Sequence, residues 1–234
     1  MDNASRVYFL KNGLSTNQVI YQYMDLDYLI RLIEKKEYCV KRKYCFSDKR
    51  ESHFPLNKMS FSFQPVGAYM NSRHIPITPK RNLWKDYEET KSLLTSCWTY
   101  QQENYLMWKS YTSKLGVCIE STINNFFSSL DANDYEIYVG KVSYVGYNGN
   151  QTLEDALFSK ERLFSAEKEI RFYFNELNEH ANNKAMVYIP INPALMIESI
   201  TLSPLIEKTA AKEIKEQFLT KYSMDAKVSI GDLG

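Results

Sequence analysis

Short runs in which apolar and polar residues alternate recur along the whole chain, and they restrict its fold more than any other feature. "VIYQY" (19–23), "YCVKRKYCF" (38–46), "MSFSFQPVG" (59–67, broken by Pro65) and "YEIYVGKVSYVGY" (135–147, ended by Asn148 and Gly149) are of this kind. Alternation returns over 167–174; 95–99, "AMVYIPI", "IESITLS" and "AKVSI" also read as strands, and "LGVCIES" as a buried one. A period of two puts successive side chains on opposite faces of a strand, so each alternating run predicts a strand with one buried face.

Helical spacing fills the intervals. Asp25 stands where an N-cap would, and Leu26, Leu29, Ile30 and Ile33 fall on one face of the helix that follows, which ends within 34–37. Residues 82–94, 103–111, "INNFFSSL", 153–164 and 207–222 also read as helical. Pro76 and Pro79, with Pro65 before them, mark a loop over 71–81. There is no internal repeat, low-complexity tract or linker. The expectation is α+β: a single domain over 1–234, with a mixed or mainly antiparallel sheet, flanking helices and a variable loop insertion around 54–81.

Composition removes several classes of function. With 29 basic and 28 acidic side chains the formal charge is +1, which argues against a broad nucleic-acid face. The start "MDNASRVYFLKNGL" has no basic residues followed by a long apolar run, and no segment reaches the length of a membrane span, so the expectation is a cytoplasmic protein with no membrane partner. Cys39, Cys45, Cys97 and Cys118 have no Cys-x-x-Cys spacing, and His53, His74 and His180 complete no zinc pattern, so no metal site is expected. Glycine-rich phosphate loops, nucleophile elbows and kinase signatures are absent. Aromatic residues, at 14%, are the one excess.

Two segments concentrate groups that could do chemistry. In "SCWTYQQENYLMWKSYTSKLGVCIES" (96–121), Trp98 ends a strand, Glu103 opens a helix, and Trp108 and Tyr111 lie one turn apart on it. The indoles either anchor a core or wall a pocket. In "SAEKEIRFYF" (165–174) a regular strand would put Glu167, Glu169 and Arg171 on one face and Lys168, Ile170 and Phe172 on the other. That face is either a solvated ladder or a buried constellation in which Arg171 keeps a carboxylate ionised. Tyr21 and Tyr23 share a face of the first strand as a packing pair or a recognition surface, and Asp48 and Glu51 follow the second in a turn.

Read in order, these segments resemble a bacterial family known as domain of unknown function 2971. The resemblance rests on "VIYQYMDLDYLIRLIEKKEYCV", on an Asp-Pro-x-Glu-like turn at Asp48 and Glu51, and on a run carrying Cys97, Trp98, Glu103, Met107, Trp108, Tyr111, Gly116 and Val117. It continues through Phe164, Glu167, Glu169 and Arg171 to the tail "MIESITLSPLIEKTAAKEIKEQF", and Lys49 departs from it where the turn has proline. It implies that the aromatic and charged residues share one pocket.

Three readings of such a pocket stay open. The order of an early aromatic strand, a mid-chain aromatic wall and a late glutamate is similar to that of ADP-ribosyltransferases. There Glu169 or Glu167 would be catalytic, and Tyr21, Tyr23, Asp48, Glu51, Trp98, Glu103, Trp108, Tyr111 and Arg171 would hold a nucleotide such as NAD. A second reading is a non-catalytic module that senses a small molecule or a partner protein, as in a stress or antiphage system. A third, a metal-dependent nuclease, would use Asp48, Glu51, Glu103, Glu167 and Glu169, with Lys168 stabilising charge.

Overall fold

In the computed structural model the described residues are 8–11, 13–42, 45, 93–102, 104–145, 157–176, 184–222 and 227–232. The expected loop at 54–81, the strand at 59–67, most of the helix at 82–94, the first four residues of that at 153–164, and Asp48, Glu51 and Glu103 lie outside them. The rest of 153–164 is not the expected helix, since 158–159 form a turn and a bridge and a 3-10 helix starts at Arg162.

The described residues build one α+β domain on a single ten-stranded, mainly antiparallel sheet. In chain order the elements are β1 (Tyr8–Lys11), β2 (Val19–Asp25), α1 (Leu26–Lys35), β3 (Glu37–Arg42), β4 (Leu94–Thr99), α2 (Tyr105–Tyr111), β5 (Gly116–Thr122) and α3 (Ile123–Ser129). Then come β6 (Tyr135–Lys141), a 3-10 helix (Arg162–Glu167), β7 (Glu169–Glu176), β8 (Met186–Pro190), α4 (Pro193–Met196), β9 (Ser199–Leu202), α5 (Lys208–Lys221) and β10 (Lys227–Ile230). The strand order is β1-β6-β7-β4-β2-β5-β9-β10, with β3 joined to β4 and β8 joined to β3. Among the described strands, β1 with β6 and β9 with β10 pair in parallel.

The sheet forks at β4. One edge of β4 pairs with β7 along its whole length, Leu94 opposite Phe174 through Thr99 opposite Glu169. The other edge is shared: its beginning pairs with β3 at Lys41–Thr95 and Arg42–Leu94, and its end meets β2 at Tyr21–Thr99 alone. Where β2 and β4 diverge, the Gln22 amide donates to the Cys97 carbonyl at 3.1 Å and so bridges strands whose backbones have separated.

Alternation divides the sheet into two unlike faces. Ile20, Trp98, Ile119, Val139, Ile170, Phe172, Phe174 and Ile200 point to one side, where Leu29, Phe126, Met196, Ala211 and Phe218 of α1, α3, α4 and α5 cover them in one continuous core. Burying each such side chain contributes on the order of 1.5–3 kcal/mol, which fixes the register of every strand that supplies one. Phe126 sits centrally, 4.9 Å from the Phe172 ring and 5.1 Å from those of Trp98 and Tyr38. The second face carries Tyr21 and Tyr23 of β2, Cys97 and Thr99 of β4, Cys118 and Glu120 of β5, and Glu169, Arg171 and Tyr173 of β7, as the pairings require. It is covered by α2 and by the Leu157–Phe158 segment.

Several boundaries depart from expectation. Asp25 is the N-cap of α1, but its side chain makes no cap bond there; the carboxylate accepts from the Ser113 N–H at 2.5 Å instead. The helix expected at 103–111 is capped by Asn104, whose side-chain oxygen accepts from the Leu106 N–H at 2.9 Å. β1 and α4 were not anticipated, and the long strand expected at 135–147 stops at Lys141. The strand expected from residue 167 begins at Glu169, because Lys168 takes a left-handed conformation (φ 48°) between the 3-10 helix and β7. Among the described residues no helix is long and apolar enough to cross a membrane.

Candidate functional site

The second face gathers its polar groups around the start of β7. Glu169 and Arg171, two residues apart in a strand, point the same way, and both are almost wholly buried. The Arg171 guanidinium donates from Nε to Glu169 Oε1 at 2.6 Å and from Nη2 to Oε2 at 3.0 Å, a bidentate ion pair. Its Nη1 donates to the Leu157 carbonyl at 2.8 Å and to the Tyr173 hydroxyl at 3.3 Å. Tyr173 itself donates to the Leu157 carbonyl at 2.8 Å, and burial pushes its hydroxyl up to about 12.

Glu167 reaches the same place by another route. The left-handed turn at Lys168 reverses the chain, and the Lys168 carbonyl accepts from the Tyr100 N–H at 3.1 Å and the Thr99 hydroxyl at 3.3 Å, which ties the turn to the end of β4. A lysine at positive φ is costly, by roughly 1–3 kcal/mol, and here β4 holds it in place. Glu167 then accepts from the Tyr111 hydroxyl at 2.5 Å and from Lys160 Nζ at 2.6 Å. Lys160 Nζ also lies 3.5 Å from Glu169 Oε2, so one ammonium bridges the two carboxylates.

Charge in this cluster balances: two carboxylates, one ammonium, one guanidinium. Burial raises the Glu169 carboxyl to about 6 against the opposing pull of Lys160. For Lys160 burial acts downward, but Glu169 and the hydrogen bond donated to Glu167 outweigh it and hold the ammonium above its ordinary value. Burial and the Glu167 hydrogen bond raise Tyr111, and burial with the neighbouring Glu169 raises the Cys97 thiol well above its ordinary value. A thiol so shifted is not a nucleophile near neutral pH.

The pairings put Tyr21 opposite Thr99 and Thr99 opposite Glu169, one row across three adjacent strands drawn from the beginning, middle and later part of the chain. That row lies at the fork. Comparison with solved structures finds DarT from Thermus sp. 2.9 in complexes with NAD+, with carba-NAD+ and with ADP-ribosylated ssDNA. Each is 8% identical to this chain with a TM-score of 0.41, and the match covers 94% of this chain and 97–98% of DarT. No family model matches the chain, and no curated protein does.

Of the residues singled out in the sequence, Tyr21, Tyr23, Trp108, Tyr111, Glu167, Glu169 and Arg171 lie on the second face or in its cover. Trp108 packs from α2 against Tyr23, ring centroids 4.7 Å apart and nearly perpendicular. Its indole N–H is buried without an acceptor among the described residues. Trp98 does not belong with them. It projects to the opposite face, donates to the Ser96 hydroxyl at 3.0 Å and packs on Phe126 and Phe172, so it anchors the core. Both indoles therefore do not wall one pocket, because β4 alternation puts Trp98 on the far side from Cys97 and Thr99. Glu167 and Lys168 likewise do not form strand faces with Glu169 and Ile170, since both precede the strand.

Lys160, Thr99, Cys97 and Tyr173 take part without having been foreseen. The alternation that sends Trp98 inward sends Cys97 and Thr99 to the other side, and this was readable. Lys160 offered no such signal, because it approaches through a segment outside any regular element. Among the described residues no group of three or more His, Cys, Asp or Glu side chains is arranged to hold a metal ion.

Proposed function

We propose that this is a cytoplasmic member of the domain of unknown function 2971 family that binds a nucleotide such as NAD on the second face and processes it as ADP-ribosyltransferases do. The observation that carries this reading is the Tyr21–Thr99–Glu169 row at the fork, with Trp108, Tyr111, Glu167 and Lys160 around it. Tyrosine and indole rings suit a flat base, and diverging strands give a ligand access to a sheet face.

Cleavage would break the bond between the nicotinamide nitrogen and the ribose carbon, the electron pair leaving with nicotinamide. Positive charge then develops on the ribose carbon and ring oxygen, where an adjacent carboxylate stabilises it. An acceptor hydroxyl forms the new carbon–oxygen bond and gives its proton to that carboxylate. Arg171 clamps Glu169 through both oxygens, whereas Glu167 is held by one tyrosine hydroxyl and one ammonium, so Glu167 is the carboxylate better able to turn toward a ligand.

Calorimetry with NAD and chromatographic assay for released nicotinamide test this directly. Glu167→Gln should abolish turnover and leave the melting temperature close to wild type. A wild-type protein that neither binds NAD nor releases nicotinamide would end the reading.

The Glu169–Arg171 clamp favours a second reading, in which the cluster braces a non-catalytic module that senses a small molecule or a partner protein in a stress or antiphage system. Under it, Glu167→Gln and Glu169→Gln impair function only as far as they lower stability. Glu167 and Glu169 already carry the protein's own counter-charges, which weighs against a metal-dependent nuclease.

A further inference from the structure

Past the end of β6 the chain folds around the first residue of β7. The Val142 N–H donates to the Glu169 carbonyl at 3.0 Å, and the Glu169 N–H donates to the Tyr144 hydroxyl at 2.8 Å. Ser143 between them bridges to the segment that carries Lys160: its N–H donates to the Phe158 carbonyl at 2.7 Å and its carbonyl accepts from the Lys160 N–H at 3.0 Å. Tyr144 and Lys160 are thus fixed on either side of one bridge, and both approach Glu169.

The Tyr144 oxygen is consequently pinned as an acceptor by the backbone of the very residue that centres the cluster. Its own proton has no acceptor among the described residues, and the side chain is only half buried. A phenol locked through its lone pair and left with a directed O–H is a preorganised donor. Tyr111 differs, since its proton is already committed to Glu167.

We propose that Tyr144 is a ligand-binding residue of this site, donating its hydroxyl proton to a neutral acceptor oxygen of the nicotinamide half of the bound nucleotide, such as the carboxamide carbonyl or a hydroxyl of the nicotinamide ribose. A phosphate oxygen fits less well, because the hydroxyl is partly buried and Glu169 and Glu167 act on it against Lys160. The assignment rests on the nucleotide reading above and adds to it the residue that would orient the uncharged part of the ligand.

The test compares NAD affinity by calorimetry in wild type, Tyr144→Phe and Tyr138→Phe, with melting temperatures for all three. Tyr138 controls for loss of a tyrosine hydroxyl on the same face, since its hydroxyl donates to Glu136 at 2.9 Å while its ring packs beside Leu157, Phe158 and Tyr173. Tyr144→Phe should weaken NAD about five- to tenfold, the effect of one neutral hydrogen bond, while Tyr138→Phe binds as wild type does. Adenosine diphosphate, which lacks the nicotinamide ribose and carboxamide, should bind wild type and Tyr144→Phe alike. In wild type, NAD should also slow hydrogen exchange of the Glu169 amide; this measurement stands even if Tyr144→Phe folds poorly. NAD binding undiminished by Tyr144→Phe, or an unchanged Glu169 exchange rate, overturns the assignment alone. Absence of NAD binding by wild type overturns the nucleotide reading and this assignment with it.

Discussion

Glu169 and Arg171 stand two residues apart on β7 and close a two-pronged ion pair inside the protein, at 2.6 and 3.0 Å. Neither charge has water to fall back on, since Glu169 is 3% exposed and Arg171 1%. Lys160 beside Glu169, and Tyr173 and the Leu157 carbonyl beside Arg171, give the pair further polar partners.

Removing one partner should therefore cost far more than a surface ion pair would. Arg171→Met leaves the buried Glu169 carboxylate without its two-pronged counter-charge, and we expect a loss of about 3–5 kcal/mol in urea unfolding at neutral pH. Replacing both, as Glu169→Gln with Arg171→Met, should recover much of that loss. If the double variant is no more stable than Arg171→Met alone, the cost does not come from an unbalanced charge.

The same burial makes stability depend on pH in a defined direction. Glu169 titrates near 6 when folded against 4.5 unfolded, so between these values the folded state holds the proton more tightly. Its contribution is thus complete below about pH 4.5 and lost as pH rises through about 6, by on the order of 2 kcal/mol. Subtracting the stability profile of Glu169→Gln from that of wild type over pH 4–7 isolates the change; a difference that is flat across this window contradicts it.

Trp98 and Trp108 should separate cleanly. Trp98→Phe cuts the bond to Ser96 in the buried network of Tyr38, Gln22 and Ser96, and we expect a loss of about 1–3 kcal/mol with ligand affinity intact. Trp108→Phe removes an N–H that has no acceptor among the described residues, so its cost is packing alone, about 1–2 kcal/mol, while any ligand held through the indole is lost. Paired urea titrations and binding isotherms distinguish the two.

Gly116 controls how α2 sits over the second face. A Cβ added there would collide with the Thr112 side chain, which is itself tied to the Trp108 carbonyl at 2.5 Å. Gly116→Ala should lower stability by about 1–3 kcal/mol, and Gly116→Ala with Thr112→Ala should restore most of it. Thermal unfolding of the two variants decides whether that collision is the cause.

Period-two alternation made most of the sheet legible, since β2, β3, β5 and β7 announce their buried faces through Ile20, Val40, Ile119 and Phe172. The same rule, applied to β4, separates Trp98 from Cys97 and Thr99. What alternation does not encode is which strands become neighbours. The meeting of Tyr21, Thr99 and Glu169 depends on pairings between residues some 70 positions apart, and local propensity says nothing about those. Nor could the turn at Lys168 be read, because a left-handed lysine has no compositional signature and only the bonds from Tyr100 and Thr99 sustain it. Glu167 was thus brought to its expected neighbours by a reversal and not by a strand.

Because β4 is gripped on both sides by partners that flank it at long range, the order of synthesis matters. A nascent chain that has emerged from the ribosome as far as α3 already contains β2, β3, β4 and β5, yet the whole β7 side of β4 is still bare. Until residue 176 is out, that edge stays open to pairing with other chains. Refolding should accordingly be slow for this size, in the millisecond-to-second range set by distant pairings, and truncations before β7 should aggregate when those after β10 do not.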